Sequence, residues 1–242
     1  MDKLLNVIVF ETPEQLAAAA AERFVECAAK VDSDRFSVAL AGGRTPKRVY
    51  ELLATEAFSS RVRWPQVHLF FGDERAVPPT DPESNYAMVH EALLSKIAIP
   101  AGNVHRMNGE DEPQQSATTY ETELKTFFAG RDWPRFDLVL LGMGDDGHTA
   151  SLFPHSEALA EKARWVVATK NVHTGQDRIT LTLPVINQAA EVIFLVNGNE
   201  KAQRLAEVLR PQPGSELLPA QAVKPVDGSL EWFVDAAAAN CL

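Results

Sequence analysis

Cysteine is nearly absent from this 242-residue sequence: two residues, Cys27 and Cys241, and no C-x-x-C pair. That leaves no disulfide framework and no familiar zinc spacing, and it suits a reducing, cytoplasmic setting. An excess of positive charge is missing too. Lys and Arg number 23 against 33 Asp and Glu, for a net charge of -10, whereas a nucleic-acid surface needs a basic face. Long apolar runs are also lacking. None nears the ~20 residues of a membrane span, and the opening MDKLLNVIVFETPEQ turns acidic too soon for a secretory leader. No repeat, low-complexity tract or linker divides the chain. One domain over residues 1–242 is therefore expected, acting as a monomer without nucleic-acid or membrane partners.

What is present is a globular composition, 45% hydrophobic and 23% charged, in a regular alternation. Short apolar runs at 7–10, 36–41, 67–71, 137–141 and 191–196 read as buried strands. Residues 178–183 alternate as a half-buried strand does, with Arg178 at the start. Between the runs lie helical patterns. Thr12, Pro13 and Gln15 make a helix start, and Leu16, Ala20, Phe24 and Cys27 fall on one face of that helix, so Cys27 reads as a core residue. A further helix is expected from Tyr86, with Val89, Leu93 and Ile97 on one face. His68 and His90 lie within such elements and read as structural. The alternation predicts an α/β fold: a mostly parallel, doubly wound, Rossmann-like sheet with helices on both faces.

In such a sheet, ligands bind beside the turns that leave the C-terminal ends of the strands. Four informative turns do so. The first holds Gly42, Gly43, Arg44 and Thr45, with Thr45 as the expected helix cap and Pro46 in the first turn. Glycines there would present backbone N–H groups at the positive end of a helix, an anion site, although the spacing is not that of a Walker A loop. The second is Gly72-Asp73-Glu74-Arg75, three charges that are costly at the end of an apolar strand unless they face a polar cleft. The third, Gly142-Met143-Gly144-Asp145-Asp146-Gly147-His148, carries acids and an imidazole on a tight loop. The fourth runs from Asn197 through Gly198 to Lys201. Together they collect an anion cradle, the cations Arg44, Arg75 and Lys201, and proton-transfer groups. An anionic small molecule fits that set despite the negative overall charge.

The third turn matches G-x-G-x-x-G, yet Asp145 and Asp146 would repel a pyrophosphate, which tells against a dinucleotide. Asp145, Asp146, His148 and His155 match no zinc signature, so no metal is expected. Ser151 lacks the G-x-S-x-G elbow of a serine hydrolase.

These blocks resemble a known family. Ala-Gly-Gly-Arg-Thr-Pro at 41–46, Gly-Asp-Glu-Arg at 72–75 with Ser84-Asn85, Gly-Met-Gly-Asp-Asp-Gly-His-Thr-Ala-Ser-Leu-Phe-Pro at 142–154 and Arg-Ile-Thr-Leu-Thr at 178–182 are similar, in order, to the signatures of the 6-phosphogluconolactonases. That family shares its fold with glucosamine-6-phosphate deaminase. The resemblance implies hydrolysis of 6-phospho-D-glucono-1,5-lactone, a phosphosugar lactone, with no metal or organic cofactor. It implies His148 as general base and Asp146 as the group that orients it or holds a cation. Gly42, Gly43, Arg44, Thr45, Asp73, Arg75, Arg178 and Lys201 would bind substrate. Two alternatives are deaminase–isomerase chemistry and a non-catalytic sugar-phosphate sensor. The deaminase pattern has Tyr where Arg75 stands and Glu where Phe153 stands; the presence of both Asp146 and His148 favours an enzyme.

Overall fold

A computed structural model describes residues 6–30 and 35–242; the first five residues of the supposed non-leader lie outside it. Among the described residues ten strands form: β1 (Asn6–Phe10), β2 (Phe36–Leu40), β3 (Val67–Phe71), β4 (Asp73–Arg75), β5 (Val104–His105), β6 (Leu138–Leu141), β7 (Val166–Lys170), β8 (Asp177–Leu181), β9 (Glu191–Val196) and β10 (Ser229–Asp235). Seven make one sheet in the order β1-β10-β9-β6-β2-β3-β5, every neighbouring pair parallel. All residues of β2 and β6 are buried, as happens when helices cover both faces. From β2 the chain proceeds outward to β3 and β5. From β6 it proceeds the other way, to β9 and β10. Strand order therefore reverses between β2 and β6, which opens a crevice there.

The first helix, Pro13–Lys30, starts as its sequence dictates. The Thr12 hydroxyl accepts from the Gln15 amide at 3.2 Å, and the Gln15 side chain accepts from the Glu11 amide at 3.0 Å. Its inner face buries Leu16, Ala20, Phe24 and Cys27. Burial, then the charge of Glu191, pushes the Cys27 thiol up to about 12, so it is an inert core residue. The helix expected from Tyr86 to Ile97 is shorter. It spans Asn85–Ala92 and is capped by Ser84, whose hydroxyl accepts from the Ala87 amide.

Two expectations need correction. Thr45 is not a helix cap: the helix spans Arg44–Leu53, with Gly43 at the cap position at φ 101. Thr45 lies inside the first turn and its hydroxyl donates to Asn197 Oδ1 at 2.6 Å. Nor is the strand at Arg178 half-buried. β4, β8 and β7 form a second, antiparallel sheet, and within it Arg178, Ile179, Thr180 and Leu181 are all buried. Helix Pro113–Phe127 packs on this sheet. Among the described residues no helix is long and apolar enough to cross a membrane.

His68 on β3 and His105 on β5 meet at 3.0 Å (Nδ1 to Nε2), and His105 Nδ1 lies 2.5 Å from Glu123 Oε1. Burial, with the nearby His105 and Arg35, pushes His68 down to about 4 from 6.5. The unfolded chain therefore binds more protons between these values. His68 contributes stability that is complete above pH 6.5 and is lost as pH falls toward 4. Urea titrations across that window should show a shallower pH dependence for His68→Gln than for the unaltered chain.

Candidate active site

Four adjacent parallel strands, β9, β6, β2 and β3, send their C-terminal turns to one edge of the sheet. These are the four turns singled out above, and side chains stitch them together. Thr45 to Asn197 joins the first turn to the fourth. Asn85 Nδ2 donates to the Asp73 carbonyl at 2.8 Å and to its Oδ1 at 3.2 Å. A Cβ at Gly42 would lie 1.9 Å from Asn85 Oδ1, so only glycine lets Asn85 pack against the first turn. Ser151 Oγ donates to Asp73 Oδ2 at 2.7 Å, which ties the third turn to the second.

His148 stands at the crevice between β2 and β6, on the turn that leaves β6. Its Nδ1 lies 2.6 Å from Asp146 Oδ1, and its backbone amide donates to the same oxygen at 3.0 Å. A Cβ at Gly144 would fall 2.1 Å from Nδ1, so a side chain there would evict the imidazole. Gly147 closes the loop at φ +81, its amide donating to the Gly144 carbonyl at 3.1 Å. The Phe153 ring packs on the imidazole with centroids 4.7 Å apart. Burial raises the Asp146 pKa, but the hydrogen bonds from the His148 ring and amide, helped by His173, outweigh it and hold the carboxyl far below its usual range. An ionised carboxylate only accepts, so His148 Nδ1 must carry a proton. In the neutral ring the free lone pair is then on Nε2. The His148 side chain is 31% exposed, and Nε2 has no hydrogen-bond partner among the described residues. An imidazole held in this way is chemically able to take a proton at Nε2.

Asp73 is only 8% exposed and both its oxygens accept hydrogen bonds. Neighbouring Glu74 faces inward, not toward the cleft. It accepts from the amides of Arg75, Asn85 and Tyr86 and from the Ser84 hydroxyl, and burial still raises its pKa. Arg75 and Arg178 are directly opposite in the β4–β8 register, where like charges repel. The Nε atoms of both are buried without a partner. Burial, then the charge of Arg75, lowers the Arg178 pKa, against the pull of Asp73, Glu83 and Glu74. Arg75 also donates to the Glu83 carbonyl. Two crowded guanidiniums with unsatisfied donors suit an anion. Lys201 pairs with Asp145, and Arg44 is exposed at the start of its helix.

His155 lies at the surface, paired with Glu216 at 3.1 Å, and with Asp145, Asp146 and His148 makes no metal-holding group. A cavity of about 620 Å³ beside helix Ala202–Leu209 is lined by Arg204, Glu207, Leu218 and Cys241 among others, and by none of the candidate residues. One neighbour of the Asp146–His148 pair was not signalled by sequence: His173, whose Nε2 lies 2.9 Å from Asp146 Oδ2. Nothing in the polar run 170–177 distinguishes it from a solvent-facing loop residue.

Known proteins resemble this chain in sequence and in fold. A family model described as glucosamine-6-phosphate isomerases/6-phosphogluconolactonase matches residues 11–232. A 6-phosphogluconolactonase of Synechocystis sp. is 45% identical over 203 residues, 82% of this chain and 81% of that one. Its counterpart in Haemophilus influenzae is 37% identical over 238 residues, 98% of this chain and 100% of that one. The structure of 6-phosphogluconolactonase from Trypanosoma cruzi superimposes with a TM-score of 0.89 at 32% identity, covering 100% of this chain and 98% of that one.

The Ser151–Asp73 bond gives a direct test of how the rim is held. Ser151→Ala leaves a buried carboxylate oxygen without its donor, and denaturation should show a loss of about 1–3 kcal/mol.

Proposed function

Since the chain belongs to the glucosamine-6-phosphate isomerase/6-phosphogluconolactonase family, we propose that it hydrolyses 6-phospho-D-glucono-1,5-lactone to 6-phosphogluconate, the second step of the oxidative pentose phosphate pathway, with His148 as general base. The observation that carries the reading is the Asp146–His148 pair, which leaves Nε2 as the free base at the crevice between β2 and β6. Nε2 takes a proton from water as the water oxygen adds to the lactone carbonyl. Asp146 stabilises the imidazolium that forms. As the tetrahedral intermediate collapses, the C1–O5 bond breaks and the imidazolium returns the proton to the departing ring oxygen. The products are a free hydroxyl and a carboxylic acid, which ionises at neutral pH.

The phosphate is assigned to Arg75 and Arg178, with the Gly43 and Thr45 backbone at the helix N-terminus completing the cradle. Gly42 lets that turn approach closely. Arg44 and Lys201 add positive charge, Lys201 by exchanging Asp145 for the ligand. Asp73 offers its remaining lone pairs to a sugar hydroxyl. Anchoring the remote phosphate orients the reacting carbonyl, which lowers the entropic part of the barrier. The protein is further proposed to act as a cytoplasmic, single-domain monomer. Deaminase–isomerase chemistry fits less well. Where that pattern has a glutamate, an apolar Phe153 ring lies against His148.

His148→Ala should lower kcat by about 10²–10⁴-fold with KM little changed, after subtraction of spontaneous lactone opening; full activity would remove the general-base role. Arg75→Ala should raise KM by about tenfold or more, and an unchanged KM would detach it from the phosphate. Sustained ammonia release from glucosamine 6-phosphate would favour the deaminase reading instead.

A further inference from the structure

The Asp146 carboxylate has two oxygens, and the reaction described above uses one. Oδ1 takes the His148 ring and amide; Oδ2 takes His173 Nε2 at 2.9 Å. We propose that His173 is a positioning residue: it fixes the rotation of the Asp146 carboxylate, and through it the His148 ring with Nε2 bare. This inference rests on the hydrolase reading of His148.

His173 is 65% exposed, so its pairing with Asp146 adds little to stability. The local backbone is nonetheless built to present it. Asn171 Oδ1 accepts from the amides of His173 and Thr174, at 2.9 and 3.1 Å. The Gly175 amide donates to the Asn171 carbonyl at 2.8 Å, with Gly175 at φ +73. Gln176 Nε2 donates to Glu83 Oε2 at 3.0 Å, which anchors the turn to the loop after β4. The imidazole is therefore carried on an ordered hairpin tip, between β7 and β8.

Orientation explains this construction where stability does not. Without a donor on Oδ2, the carboxylate is held through Oδ1 alone, and rotation about its Cβ–Cγ bond is less restricted, which loosens the direction of Oδ1 toward Nδ1. Because an ionised carboxylate only accepts, His173 must present Nε2 as a donor. A glutamine amide at position 173 could supply the same N–H; alanine could not. The same hairpin runs into Arg178 on β8, so one element supplies both a phosphate-binding cation and the donor that orients the base.

The test is steady-state kinetics on the full chain with 6-phosphogluconolactone. His173→Ala should lower kcat by about tenfold, the equivalent of one charge-assisted hydrogen bond, with KM within about twofold. His173→Gln should restore most of the loss. In an Asp146→Asn background, His173→Ala should have no further effect. An unchanged kcat, a loss confined to KM, no rescue by glutamine, or an equal loss in the Asp146→Asn background would each overturn the proposal. Nitrogen-15 NMR of the histidines reads the same point without substrate: His173→Ala should broaden or shift the Nδ1–H signal of His148, and an unaltered signal would overturn it. If the unaltered chain fails to open the lactone, the hydrolase reading falls, and the NMR comparison still decides whether His173 holds the pair.

Discussion

An ionised carboxylate can only accept hydrogen bonds, and the chemistry proposed at this site follows from that constraint at Asp146. With Oδ1 2.6 Å from His148 Nδ1, the proton must sit on Nδ1, and the base is left on Nε2. The surroundings serve this one contact. Gly144 is bare because a Cβ would occupy the place of the ring, and Phe153 packs against the ring. The neighbouring residue Thr149 fastens the loop back to its strand, its hydroxyl donating to the Gly142 carbonyl at 2.9 Å.

The larger fold decides where that contact is placed. Strand order reverses between β2 and β6, so the glycine turn after β2 and the His148 turn after β6 face one crevice. The antiparallel sheet β4-β8-β7 then brings Arg75 and Arg178 beside the same rim, and Asp73 joins the two sheets through Ser151 and Asn85. Rigidity here comes from buried hydrogen bonds between turns that are far apart in sequence. Such bonds are costly to leave half made, which is why the rim is assembled as a unit.

The strands of the main sheet were legible because β2, β3, β6 and β9 are short, mostly apolar runs, three of them ending at glycine or an Asn-Gly pair and β2 one residue before its glycines. The second sheet was not. Asp73, Glu74 and Arg75 carry three charges and read as a turn, and their pairing with β8 is a contact across about a hundred residues that no local period encodes. Thr45 looked like a cap because a proline follows it, but the positive φ of Gly43 starts the helix earlier. The pairing of Asp146 with His148 was legible as a motif, the two being two residues apart. His173 was not, since its partner lies 27 residues away and its own loop is merely polar.

The opposed guanidiniums of Arg75 and Arg178 have a thermodynamic consequence. Their mutual repulsion and their unpartnered Nε atoms are penalties borne by the native state. If the proposed phosphate settles between them, it relieves those penalties only in the native state, so by linkage folding and occupancy would rise together. On that assignment the melting curve of this chain would be a ligand titration, with the ionic composition of the buffer as one of its variables.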